Sequence, residues 1–112
     1  MERRRDIRRH LIFYLRILDE RDNLIGYLAD ISEGGLMIIN ENTMQIGKRM
    51  TLKLKLPSEL NQGEYLIFEG EVRWVQQDIN NDYYDIGIKI LDQVERNIEI
   101  LSSLIDKIGF IK

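Results

Sequence analysis

Two short stretches of this chain carry side chains suited to binding chemistry. "RRRDIRR" places Arg3, Arg4, Arg5, Arg8 and Arg9 within seven positions. "DISEGG", residues 30–35, brings Asp30, Ser32 and Gly35 into what reads as a tight turn. A guanidinium is a planar, permanently charged fork of donors that matches a phosphate. An ionised carboxylate only accepts hydrogen bonds, whereas a hydroxyl both donates and accepts. The arginines alone admit four readings: a solubilising tail, a nucleic-acid arm, a signal-peptide n-region, or one half of a site for a small anion. The turn admits a plainer use as well, because Asp and Ser commonly bond backbone amides in turns.

Charge distribution narrows the choice. Residues 1–16 hold six arginines against Glu2 and Asp6, a net +4, so the remainder must carry −7 to reach the total of −3. An acidic body argues against a broad duplex-binding surface, which needs a distributed basic footprint. The apolar run "LIFYL" after the arginines is interrupted by Arg16, too soon for a signal-peptide h-region, and no small-residue cleavage site follows. No stretch approaches the length of a transmembrane helix. A cytoplasmic protein without membrane insertion is expected. The chain has no cysteine and a single histidine, His10, so neither a thiolate nucleophile nor a multi-histidine metal site can be assembled. Binding rather than catalysis is expected, with no cofactor.

The elements that must position these residues are mostly strands. With 112 residues, 44% of them hydrophobic, one domain is expected. Residues 1–10 form a basic arm, too poor in apolar side chains to order itself without a ligand. Residues 11–91 carry period-two patterning: strands over 11–18, 24–32, 36–39, 49–56, 65–77 and 83–91. In the fourth, Met50, Leu52, Leu54 and Leu56 face in, and Thr51, Lys53 and Lys55 face out. In the fifth, alternation places Phe68, Gly70, Val72 and Trp74 on the inner face, with Gly70 marking a bulge or barrel corner. Trp74 is therefore assigned to core or rim rather than to a stacking platform. The period then changes: Val94, Ile98, Leu101, Leu104, Ile105 and Ile108 predict an amphipathic helix over 92–108, with Asp92 as its cap. The expected fold is mainly β, a six-stranded antiparallel, Greek-key-like barrel with a C-terminal helix.

An RxxxR pair, then [DN]xSxxG as Asp30, Ser32 and Gly35, then an antiparallel barrel of this length: in that order the chain resembles the PilZ domain family from about Arg3 to the terminal helix. The resemblance implies a bacterial receptor for cyclic di-GMP that signals to a protein effector. The ligand's chemistry agrees, since arginine forks fit its phosphates and the O6 and N7 atoms of guanine. Asp30 suits the donor edge of guanine, Ser32 an acceptor such as N7 or phosphate, and Gly35 a close backbone approach. Arg4/Arg8 and Arg5/Arg9 both satisfy the spacing. The family layout favours Arg4 and Arg8, leaving Arg3, Arg5 and Arg9 as secondary phosphate contacts. Two alternatives stand beside this reading: a PilZ-like protein-interaction adaptor that does not bind the nucleotide, and a small barrel for single-stranded nucleic acid. The second wants aromatic platforms interleaved with basic residues along a groove.

Overall fold

The computed structural model describes residues 15–32 and 34–109, with side chains to residue 107. Among these, six strands form a closed barrel: β1 (Arg16–Asp19), β2 (Leu24–Ile31), β3 (Gly35–Asn40), β4 (Arg49–Lys55), β5 (Tyr65–Gln77) and β6 (Tyr84–Ile90). Every neighbouring pair is antiparallel. The spatial order β1-β2-β3-β6-β5-β4 closes on β1, so β4 lies beside the first strand after a crossover from β3. The run β4-β1-β2-β3 is a Greek key. The upstream part of the first expected strand, 11–14, lies outside the described residues. Pairing continues back from β1 as far as Leu15, whose carbonyl accepts the Leu28 amide at 2.9 Å.

The interior is filled by the inward member of each alternating pair. Ile17, Leu28, Ile38, Leu52, Leu54, Leu66, Phe68, Val72, Ile86, Ile88 and Ile90 are all buried in one cluster. Gly70 belongs to this interior: a Cβ there would lie 2.7 Å from Ile88 Cγ2 and 3.2 Å from Leu52 Cδ1. Its missing side chain makes room for neighbours; no register shift occurs at this position.

One helix follows the barrel, α1 (Glu95–Gly109). It starts later than the sequence pattern predicts, because Asp92 is used elsewhere. The Asp92 carboxylate accepts the Glu69 amide at 2.8 Å, fastening the link to β5 instead of capping the helix. The buried face is also rotated from the expected one. Asn97, Ile100, Leu101 and Leu104 are buried, while Val94 and Ile98 stay 52% and 46% exposed. The Asn97 amide donates to the Ile67 carbonyl at 3.2 Å. That bond and the packing of Ile100 set the rotation, and Ile100, Leu101 and Leu104 join the barrel core.

Candidate functional site

Four of the barrel's strands, β2, β3, β6 and β5, share a set of cross-strand rungs that decides which side chains reach the outer face. Leu28, Ile38, Ile86 and Val75 are paired in sequence across the four strands, and so are Ile31, Leu36, Ile88 and Val72. Both rungs belong to the core. Between them lies a rung of the opposite facing: Asp30, Met37, Gly87 and Trp74.

On β3 and β6 the spacing is regular, with one residue between the two inward positions. On β2 and β5 there are two. Register shifts fall between Leu28 and Asp30 and between Val72 and Trp74. Each is a bulge, in which two residues on one strand oppose one on its partner. Without it, alternation would carry Asp30 inward after Leu28, and a carboxylate cannot be placed among Ile38, Ile86 and Ile88 at acceptable cost. The bulge turns Asp30 outward, where it is half-buried and its Oδ1 accepts the Ile31 amide at 2.9 Å. The same device on β5 corrects the expected position of Trp74. The indole faces out and remains 42% exposed, and Arg73 beside it is exposed too.

The β2–β3 turn closes this wall. Ser32 donates both its amide, at 2.9 Å, and its hydroxyl, at 3.3 Å, to the Gly35 carbonyl. Gly34 then accepts the Ile90 amide at 3.0 Å. Gly35 is required for a reason other than ligand approach. A Cβ there would sit 2.4 Å from the Ile88 carbonyl oxygen, so only glycine lets β3 run this close to β6.

Gly87 has a comparable constraint from the opposite direction. Its Cβ would lie 2.1 Å from Trp74 Nε1 and 2.2 Å from Cε2. The indole therefore rests against the β6 backbone, with the absent side chain as its seat. In the next outward rung Gly35 pairs with Lys89 and Lys89 with Glu71. Arg49 Nε bonds Glu71 Oε1 at 3.1 Å, and Arg73 Nε stands 4.0 Å from Glu71 Oε2.

These rungs floor an open groove of about 430 Å³, lined by Asp30, Ser32, Gly34 and Gly35 at the turn and by Arg73, Trp74, Gly87 and Lys89 on β5 and β6. Three sequence-predicted residues, Asp30, Ser32 and Gly35, are thus brought together. Arg3, Arg4, Arg5, Arg8 and Arg9 lie outside the described residues. Sequence reasoning missed Arg73, Gly87 and Lys89, and placed Trp74 on the wrong face. A signal was present: Leu28/Ile31 and Val72/Val75 are apolar pairs three apart in strands of period two.

A family model for the PilZ domain matches residues 2–107. No curated protein matches the chain in sequence. Among solved structures, the fold is similar to Bacillus subtilis MotI (DgrA), an inhibitor of motility, with a TM-score of 0.71 and 18% identity. That match covers 88% of this chain and 47% of MotI. The PilZ domain of Escherichia coli YcgR, solved with c-di-GMP, has a TM-score of 0.64 and 13% identity, covering 87% of this chain and 83% of that one. K. pneumonia MrkH in its apo state has a TM-score of 0.66 and 13% identity, over 86% and 46%. The chain spans about half the length of MotI and of MrkH.

Proposed function

The chain belongs to the PilZ domain family, and we propose that it is a receptor that binds cyclic di-GMP in the groove between the β2–β3 turn and Trp74. It then signals to a protein effector rather than catalysing a reaction. The observation that carries this reading is the outward rung Asp30–Met37–Gly87–Trp74, which sets an acceptor and an aromatic face on one groove floor. Cyclic di-GMP offers guanine edges and phosphates, and each has a counterpart here. Asp30 accepts from the N1–H and N2–H₂ edge of one guanine. Ser32 keeps acceptor capacity while bonded to Gly35 and exchanges that bond for N7 or a phosphate. The exposed indole face of Trp74 takes a base by stacking, worth about 1–3 kcal/mol per base. Arg4 and Arg8 close over the ligand as bidentate forks, with Arg3, Arg5 and Arg9 as secondary phosphate contacts.

Calorimetric titration with cyclic di-GMP tests the proposal directly. Binding near or below about 1 μM is expected, roughly −8 kcal/mol, with GTP and cyclic GMP much weaker because neither presents two guanines and two phosphates together. Trp74 is the only tryptophan, so its fluorescence should change over the same titration. Arg4→Ala and Arg8→Ala should each cost about 2–4 kcal/mol, since charge-assisted bidentate contacts are lost. No heat, an unshifted melting curve and unchanged fluorescence at millimolar ligand would refute the reading. Damage from Arg5→Ala and Arg9→Ala instead would move the register of the arginine pair and leave the receptor reading intact.

A further inference from the structure

The β5 bulge sends two consecutive side chains, Arg73 and Trp74, to the groove side of a strand that should alternate. Beyond them, two residues further along β6 from Gly87, Lys89 lines the same groove. Successive outward rungs of a sheet are about 7 Å apart, so the indole seat and the two cations are neighbours rather than separate features. Among the described residues neither cation is engaged by a hydrogen bond. Among the described residues Lys89 forms no ion pair, and Arg73 is paired with Glu71, its Nε 4.0 Å from Oε2.

Glu71 is differently placed. Its side chain is 18% exposed, and its other oxygen is bonded by Arg49 from β4 at 3.1 Å. A carboxylate anchored in this way draws the Arg73 guanidinium to one side of the bulge without consuming its donors. Two cations with unused donors beside an aromatic face, opposite an acceptor-lined turn, suit a phosphate attached to a stacked base.

Resting on the receptor reading above, we infer that Arg73 and Lys89 form a second, barrel-borne cationic wall that takes a phosphate of the ligand, with Glu71 as the positioning residue for Arg73. The N-terminal arginines then do not carry the phosphate contacts alone. Part of the anion site belongs to strands, where β-sheet geometry holds it in place whether or not the ligand is present.

Calorimetry with cyclic di-GMP on the full chain separates the possibilities. Arg73→Ala should weaken binding about ten-fold and Lys89→Ala somewhat less, as expected for loss of a charge-assisted hydrogen bond. Arg73→Lys should recover part of the loss, because the charge returns without the fork. Glu71→Gln should cost about three-fold, the scale of an exposed ion pair. Salt makes the assignment specific. In Arg73→Ala the dissociation constant should depend less steeply on NaCl than in the unaltered chain, while the melting temperature of the free protein stays the same. A merely structural residue would reverse that outcome, lowering the melting temperature and leaving the salt dependence alone. If the unaltered chain binds and Arg73→Ala and Lys89→Ala bind equally well with the same salt dependence, this inference fails and the receptor reading stands. If the unaltered chain does not bind, both fail.

Discussion

The β4–β5 ladder and the β2–β3–β6–β5 face are both antiparallel and share β5, yet one is a plain wall and the other holds the groove. From Arg49 paired with Glu71 to Lys55 paired with Tyr65 the register never slips. Outward polar residues of β4 find partners on β5 and on the neighbouring loops. Thr51 bonds Glu69, Lys53 pairs with Asp22, and Lys55 pairs with Glu64 at 3.0 Å. Lys53 and Lys55 also sit over the Tyr65 ring, at 5.4 and 5.1 Å from its centroid. Exposed pairs of this kind contribute little individually. On the other face, each bulge adds one residue, and the added residue changes the facing of everything beyond it. Asp30 and Trp74 owe their outward aim to those two extra positions, and Trp74 thereby joins Arg73 on the groove side.

Breaking the regular wall should have the largest effect on stability and none on recognition. Leu52 is fully buried, and Leu52→Ala should cost about 2–5 kcal/mol in denaturant unfolding. Lys53→Ala, next to it but facing out, should leave cyclic di-GMP binding unaltered. A Leu52→Ala variant that loses ligand affinity while fully folded would erase the distinction between the two regions.

On the groove side, two glycines sharpen the contrast because their neighbours differ in how far they can move. A methyl at Gly35 meets the backbone carbonyl of Ile88, which cannot turn aside. Gly35→Ala should therefore destabilise by about 1–3 kcal/mol and weaken binding as β3 separates from β6. A methyl at Gly87 meets the Trp74 indole, which can rotate away. Gly87→Ala should stay within about 1.5 kcal/mol in stability, shift the tryptophan emission of the free protein, and reduce ligand affinity. An unshifted spectrum would mean that the indole does not rest on residue 87.

The smallest effect belongs to the β1–β2 turn, whose residues do not line the groove. The Asp19 carboxylate accepts the amides of Asn23 and Arg21, each at 2.9 Å, and the Asn23 side-chain amide at 3.2 Å. The Asn23 backbone bond is the leading cause that holds its pKa below the ordinary aspartate value. Because the folded value is the lower one, this stabilisation is fully present above the unfolded value. It is lost as pH falls through the folded value. Asp19→Asn, which cannot titrate, should show a melting temperature that falls slightly less than that of the unaltered chain between about pH 5 and pH 2. Identical slopes would show that the turn carboxylate does not contribute.

Much of the molecule follows from local pattern. Six strands and a terminal helix are legible because alternation and a three-to-four spacing are properties of single segments. Met50 to Leu56 shows this without any correction of facing. "DISEGG" reads as a turn because Asp, Ser and Gly favour local bonds wherever they occur. The Greek-key closure, the rotation of α1 that leaves Val94 and Ile98 exposed, and the use of Asp92 on β5 each depend on a neighbour distant in sequence. The same holds for the bulges. Whether Leu28 and Ile31, or Val72 and Val75, enclose one residue or two is visible in the sequence. Its consequence is set only by a partner strand that has one residue where its neighbour has two. The candidate site was therefore half determined by composition, through Asp30, Ser32 and Gly35. Its other half, Trp74 seated on Gly87 beside Arg73 and Lys89, was decided by strand pairing, because which way a side chain faces is a property of the sheet and not of the strand.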